Sequence, residues 1–204
     1  MTLTTWFSLF AIALLGAMSP GPSLAMVVKH SLAGGRSNGI CTAWAHACGI
    51  GVYAFITMIG LAVVLQHSPL VFDTITYLGA AYLAYLGVNA LRSKGGVAAR
   101  LESGERVSNW QSAKEGALIS MLNPKIALFF IALFSQYVDA GHSLSDKVTI
   151  VATPFVVDGS WYTLITLLLS NAAVLDKLRH KAALIDRLSG CVLLALAIRV
   201  VVSI

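Results

Sequence analysis

The chain has 204 residues, 57% hydrophobic and only 11% charged, with a formal net charge of +5. A soluble domain carries about 25% charged residues to face water, so this composition excludes a soluble globule and makes lipid the natural solvent, as the mean hydropathy of +0.80 agrees. The basic excess does not mark nucleic-acid binding, because the cations are scattered between apolar runs.

A hydrocarbon core about 30 Å thick takes about 20 apolar residues of helix to cross. Residues 2–28 are free of charge and predict a first segment over 4–30. It has no basic leader and its apolar stretch is too long for a signal peptide, so it is expected in the mature chain, whether spanning or re-entrant. The further charge-poor runs 37–72, 74–91, 116–138, 148–175 and 188–204 predict segments at 40–65, 72–92, 114–137, 148–173 and 185–204. Strands of a membrane barrel would alternate apolar and polar residues, which these do not. The expectation is an all-α membrane protein with six transmembrane helices.

Between segments the charges follow a rule. Lys29 and Arg36 follow the first, Arg92, Lys94, Arg100, Arg106 and Lys114 the third, and Lys177, Arg179, Lys181 and Arg187 the fifth; the even loops hold only Lys147, a split of eleven to one. Positive charge stays inside, so the odd loops are expected in the cytoplasm and the C-terminus outside. The loop at 93–113, with Gly95, Gly96 and Gly104, divides a single integral membrane domain into a first repeat (1–92) and a second (114–204).

Matching features lie in the two halves: Pro20 and Pro124, Tyr53 and Tyr162, Gly79 and Gly190, at offsets of 104, 109 and 111. Three crossings per half would insert the second half upside down. Inverted repeats whose matching helices are interrupted mark a transporter's central site, so helices one and four are expected to be broken by their prolines.

Ser19-Pro20-Gly21-Pro22 and Asn123-Pro124-Lys125 are those breaks. Proline removes a backbone donor and clashes with the preceding turn, and the freed groups are tolerated at membrane depth only inside protein or along a cavity. A single proline is otherwise a kink. Lys125 near the centre of an apolar segment is expected to face a passenger or an ion partner, against the simpler reading of snorkelling. Asp158, the one charge within 148–175, is expected to pair with Lys125, bind an ammonium or exchange protons. Trp161 and Tyr162 follow it at +3 and +4 and are expected beside it. His46, Gly49, Tyr53, Thr57 and Gly60 share one face of the second segment; packing accounts for the glycines, and His46 joins Asp158 as a candidate for proton coupling. Cys41 and Cys48 are too far apart on one helix for a disulfide. No Ser–His pairing is visible at helical spacing.

Residues 14–22 and 34–39, the run Leu78-Gly79-Ala80-Ala81-Tyr82-Leu83-Ala84-Tyr85-Leu86-Gly87, and Leu122-Asn123-Pro124-Lys125 with its apolar continuation resemble, in order, the segments of the lysine-exporter and homoserine/threonine-resistance transporters. The stretch 43–48 and Ser135 depart from that pattern and leave the substrate open. The resemblance implies a secondary exporter of amino acids or their derivatives, driven by protons or another ion, in the bacterial cytoplasmic (inner) membrane. It implies no catalysis and no cofactor. Its partners would be an amino acid, the coupling ion, lipids and, in an assembly, further copies of the chain. The alternatives are a metal-cation efflux protein, for which the donors are few, and an intramembrane hydrolase using Ser19 or Ser160 beside Asp158.

Overall fold

The computed structural model describes residues 1–19, 21–93, 105–138, 143–169 and 180–203. Pro20 lies outside the described residues, as do the loop residues Lys94, Gly95, Gly96, Arg100 and Gly104 and the cations Lys177 and Arg179. Among the described residues the chain forms seven helices and no strand: α1 (Leu3–Met18), α2 (Pro22–His67), α3 (Pro69–Arg92), α4 (Asn109–Leu122), α5 (Pro124–Phe134), α6 (Leu144–Leu168) and α7 (Ala182–Ser203).

Local chemistry sets the boundaries. Proline is preferred in the first turn of a helix, where its missing N–H is not needed, and Pro22, Pro69 and Pro124 stand at the starts of α2, α3 and α5. Hydroxyl caps open α1, α4 and α6: Thr2, Ser108 and Ser143 each accept from the backbone N–H three residues on. Three helices are long and apolar enough to cross a membrane, namely α2, α3 and α6. The pair α4 and α5, bent by 56° at Asn123, makes a fourth if taken as one broken span.

The expected break in the first segment falls between Met18 and Pro22, and the boundary with the second segment falls at Gly35. Residues 22–34 form a short helix that meets the second segment at a kink on Gly35, and the two lengths together make up the 46 residues of α2. Only Gly35, at φ 79 and ψ −166, leaves the helical region, and it is a backbone state that side chains with a Cβ rarely adopt. Lys29 and Arg36, read as loop cations, are therefore helical residues. The charges had suggested a loop, and the boundary is instead a kink between them.

α2 packs along α4 and α6, α1 against α6, and α3 against α7. Glycines permit the close approaches. A Cβ on Gly116 of α4 would lie 2.5 Å from the Thr42 carbonyl of α2, and one on Gly190 of α7 would lie 2.7 Å from the Gly87 carbonyl of α3. Gly79 instead faces Ile131 and Ala132 of α5. The larger apolar core joins Leu9, Ile50, Met58, Leu83, Phe130 and Phe134, and so binds α1, α2, α3 and α5 together.

Candidate functional site

Where α1 stops, α2 begins, and α4 gives way to α5, the chain surrounds a buried cavity. α1 ends because the Ser-Pro-Gly-Pro run cannot supply the next helical donors. α2 then starts on Gly21, which has no side chain to cap the first-turn N–H groups. On the opposite side Asn123 ends α4 and caps α5, its Oδ1 accepting from the Lys125 N–H at 3.0 Å. Two helix C-termini and two N-termini thus meet at one level. Their partial charges are of both signs.

Lys125 reaches across this junction. Its Nζ donates to Ser19 Oγ at 2.6 Å and lies 3.4 Å from the Ser19 carbonyl. A cation at the C-terminal end of α1 complements that helix's negative pole. Asp158, 5% exposed, does not pair with Lys125 as one expectation had it: its carboxylate meets the His46 ring. α6 is packed so that the carboxylate meets α2, while Lys125 reaches the C-terminal end of α1.

His46 is itself 1% exposed and bridges two partners. Nδ1 lies 2.7 Å from Asp158 Oδ2, and Nε2 lies 2.8 Å from Ser23 Oγ. With the carboxylate ionised, Nδ1 carries the hydrogen and donates it, so Nε2 of the neutral ring accepts the Ser23 hydroxyl hydrogen. Tyr162 stands edge-on to the imidazole, with ring centroids 5.3 Å apart, and its hydroxyl lies beside Ser23.

The cavity is lined by Ser19, Gly21, Asn123, Lys125, Asp158, Tyr162 and His46, which the sequence had singled out from four separate stretches, and by Ser23 and Pro154. Ile50, Ile126, Phe129 and Phe130 form its apolar side. Its volume is about 50 Å³. A water needs roughly 10–15 Å³ on the same measure, so a few waters fit and nothing larger does. Pro22 and Pro124 do not line it; they face a neighbouring cleft with Tyr82, Ser93 and Asp186.

Trp161 corrects the sequence reading. It lies on another face of α6, beside Phe10, Leu14 and Leu164, and packs against the small apolar cluster of Leu24, Val27 and Val28. On a helix, +3 and +4 fall on opposite flanks of residue 158, and only the +4 flank faces the cavity. Gly49 and Tyr53 are packing residues: Gly49 faces Ser120, and the Tyr53 hydroxyl donates to the Met121 carbonyl at 2.7 Å.

Sequence reasoning missed Ser23, Pro154 and Asp186. Pro154 sits one turn before Asp158 inside α6, a mid-helix proline with the same signature as the two breaks. Ser23 directly follows the first motif. It also missed a second polar cluster between α2 and α4. There Glu115 Oε2 accepts from Lys29 Nζ at 3.1 Å and from His30 Nε2 at 3.0 Å, and Oε1 accepts from Gln111 Nε2 at 2.8 Å.

Residues 14–204 match the LysE type translocator family. The chain belongs to that family. An uncharacterized membrane protein of Pseudomonas aeruginosa is 36% identical over 132 residues, 61% of this chain and 59% of that protein. The chain therefore spans about three fifths of that relative. A second uncharacterized membrane protein, from Bacillus subtilis, is 26% identical over 197 residues, 92% of this chain and 94% of that protein. A protein of Salmonella typhimurium named leucine efflux protein is 31% identical over 120 residues, 59% of this chain and 57% of its own length. No solved structure matches. As a member of the LysE type translocator family, the chain is a multi-pass membrane protein whose cavity lies at its helix breaks.

Proposed function

We propose that the chain exports amino acids from the cytoplasm across the bacterial inner membrane, exchanging each passenger for protons. The observation that carries this reading is one buried chamber holding Lys125, Asp158 and the uncapped start of α2 beside an apolar wall. A free amino acid has one anionic end, one cationic end and a side chain between. In a state of the chamber wider than its present volume of about 50 Å³, its carboxylate suits Lys125 and the first-turn N–H groups of α2, its ammonium suits Asp158, and its side chain suits Phe129, Phe130 and Ile50. The name of the Salmonella relative supports a passenger of this kind.

His46 gives the exchange its logic. A bare carboxylate in the bilayer interior is costly, so Asp158 is best stabilised by either an ammonium or a proton held on the His46 pair. Binding one displaces the other. Ser23 extends the relay toward the start of α2.

Six crossings arranged as two inverted repeats fit the packing. The α1–α6 and α2–α4 contacts exchange places under a two-fold axis, and the α3–α7 contact maps onto itself. The cation split between odd and even loops favours a cytoplasmic position for the odd ones.

One observation favours a second reading. Ser23, His46 and Asp158 are bonded in the order of a nucleophile, its base and the acid that orients it. That connectivity would also serve an intramembrane hydrolase. A metal passenger has less support, since His46 and Asp158 offer only two donors.

The test uses proteoliposomes preloaded with labelled amino acids under an imposed pH gradient. Export faster than from protein-free vesicles is expected for at least one passenger. A double Asp158→Asn, Lys125→Met variant is expected to insert and move nothing. If no amino acid of a broad panel leaves faster than the control, the exporter reading fails; covalent capture of Ser23 by a fluorophosphonate would favour the hydrolase.

A further inference from the structure

A groove of about 620 Å³ runs between the second length of α2 and the first half of α6, away from the chamber. It exists because Gly51 and Ala152 are small where Val52, Phe55 and Val148 around them are large. The two helices run in opposite directions, since His46 meets Asp158 and a Cβ on Gly51 would lie 3.4 Å from Phe155. Lys147 and Ile59 therefore mark one end of the groove, and Cys48 and Phe155 the other. Lys147 stands in the first turn of α6, a helix long and apolar enough to cross a membrane. Phe155 lies about 12 Å farther along at about 1.5 Å per residue, close to half of a hydrocarbon core about 30 Å thick. The groove thus reaches from the membrane surface to mid-depth, the thickness of one leaflet. Its lining is apolar apart from Lys147, and no carboxylate lines it.

We propose that this groove holds one acyl chain of an anionic phospholipid, with the headgroup phosphate at Lys147. The Lys147 side chain is exposed and forms no hydrogen bond or ion pair among the described residues. Its neighbour Asp146 is not in the groove's lining and pairs with the N-terminal ammonium at 2.6 Å. A lysine at the membrane surface favours an anionic lipid by about fivefold, so charge selects the headgroup. Shape selects the tail, because a flexible apolar chain one leaflet long fills the groove and gains its dispersion contacts. A partner helix fits less well. Membrane helices approach each other through small residues, whereas Val52, Phe55, Ile59 and Val148 stand out along the groove, 44–58% exposed. A second copy of the chain fits no better. Two copies inserted the same way and paired by a two-fold axis would bring their Lys147 side chains to one depth, with no carboxylate in either groove to answer them. This site is independent of what the chamber carries. A lipid seated here would brace α2 on α6, the contact that also holds His46 to Asp158.

The test uses the full-length protein with phosphatidylglycerol and phosphatidylcholine of identical acyl chains, so that only the headgroup differs. In native mass spectrometry with both lipids at equal concentration, the parent is expected to retain phosphatidylglycerol about fivefold more than phosphatidylcholine. Lys147→Gln should lose that preference while keeping its helical circular dichroism. Equal retention of the two lipids by the parent, or an unchanged preference in Lys147→Gln, overturns the site. A phosphatidylglycerol carrying a diazirine at the end of one acyl chain reads the groove without any substitution. Capture is expected within residues 48–59 and 147–155, and unlabelled phosphatidylglycerol should compete it away. Capture spread evenly over the apolar helix faces overturns the site. So does a dimer in lipid nanodiscs whose two Cys48 side chains are joined by a short bis-maleimide, because a second copy then fills the groove.

Discussion

His46 and Asp158 stand 112 positions apart in the chain and meet at 2.7 Å, with both side chains almost wholly buried. An ionisable pair sealed in a membrane protein is costly unless its charge changes partner during function. Their contact also ties α2 to α6 at the depth of the broken helices.

Replacing Asp158 by Asn should keep the volume and one acceptor while removing the charge. Export is expected to fall at least about a hundredfold, the loss of roughly 2.7 kcal/mol of coupling by the usual conversion. Insertion should be unchanged, because a neutral amide is cheaper to bury than a carboxylate. Transport assays normalised to membrane-inserted protein check this.

The pH response follows from the same pair. A proton reaching His46 and Asp158 from the receiving side cancels the charge that holds the ammonium, so acid there speeds release. Acid on the loading side competes with the ammonium and slows uptake into the site. Export is therefore expected to rise when the receiving compartment is the more acidic and to fall when the gradient is inverted. His46→Gln, which cannot titrate, should flatten the response. Rates measured in vesicles at several imposed gradients give the answer.

Glycine packing makes a separable prediction. Gly116→Ala would push a methyl group against the Thr42 backbone, which cannot turn aside, and should cost about 1–3 kcal/mol. Gly60 has nothing within 4 Å of its would-be Cβ, so Gly60→Ala should be neutral or add up to about 1 kcal/mol through helix propensity. Thermal unfolding in detergent should separate the two clearly.

The cluster at Glu115 stabilises the junction of α2 and α4. His30 is fully buried there and takes Glu115 as partner for Nε2. Glu115→Ala leaves that nitrogen unpaired, at a cost of about 1–3 kcal/mol. Adding His30→Leu should recover part of the loss, since an apolar group asks for no partner. Melting curves of the single and double variants test it.

Much of this was readable from residue order alone. Proline and glycine act through the local backbone, so the breaks at residues 19–22 and 123–125 are visible without tertiary knowledge. Asp158 and Lys125 announce themselves by their cost in apolar segments. Their partners do not. Whether Asp158 meets Lys125 or His46 depends on the rotation of α6 against α2, which periodicity leaves free. The same rotation decides between Trp161 and Tyr162. Asp186 escaped notice because it lies at the start of its segment, next to basic residues, where a charge reads as an ordinary interfacial one. Lys29 and Arg36 marked the boundary between the first two segments, but that it is a kink at Gly35 and not a loop could not be read from them.

Gly35 gives α2 a joint. The residues before it carry Ser23 at one end and Lys29 and His30 at the other, whereas those after it carry His46. The two lengths are thus separate levers meeting at a swivel, and tilting the shorter one need not unwind the longer. Any larger residue at this position would stiffen the swivel, because its backbone angles are strained for every side chain with a Cβ.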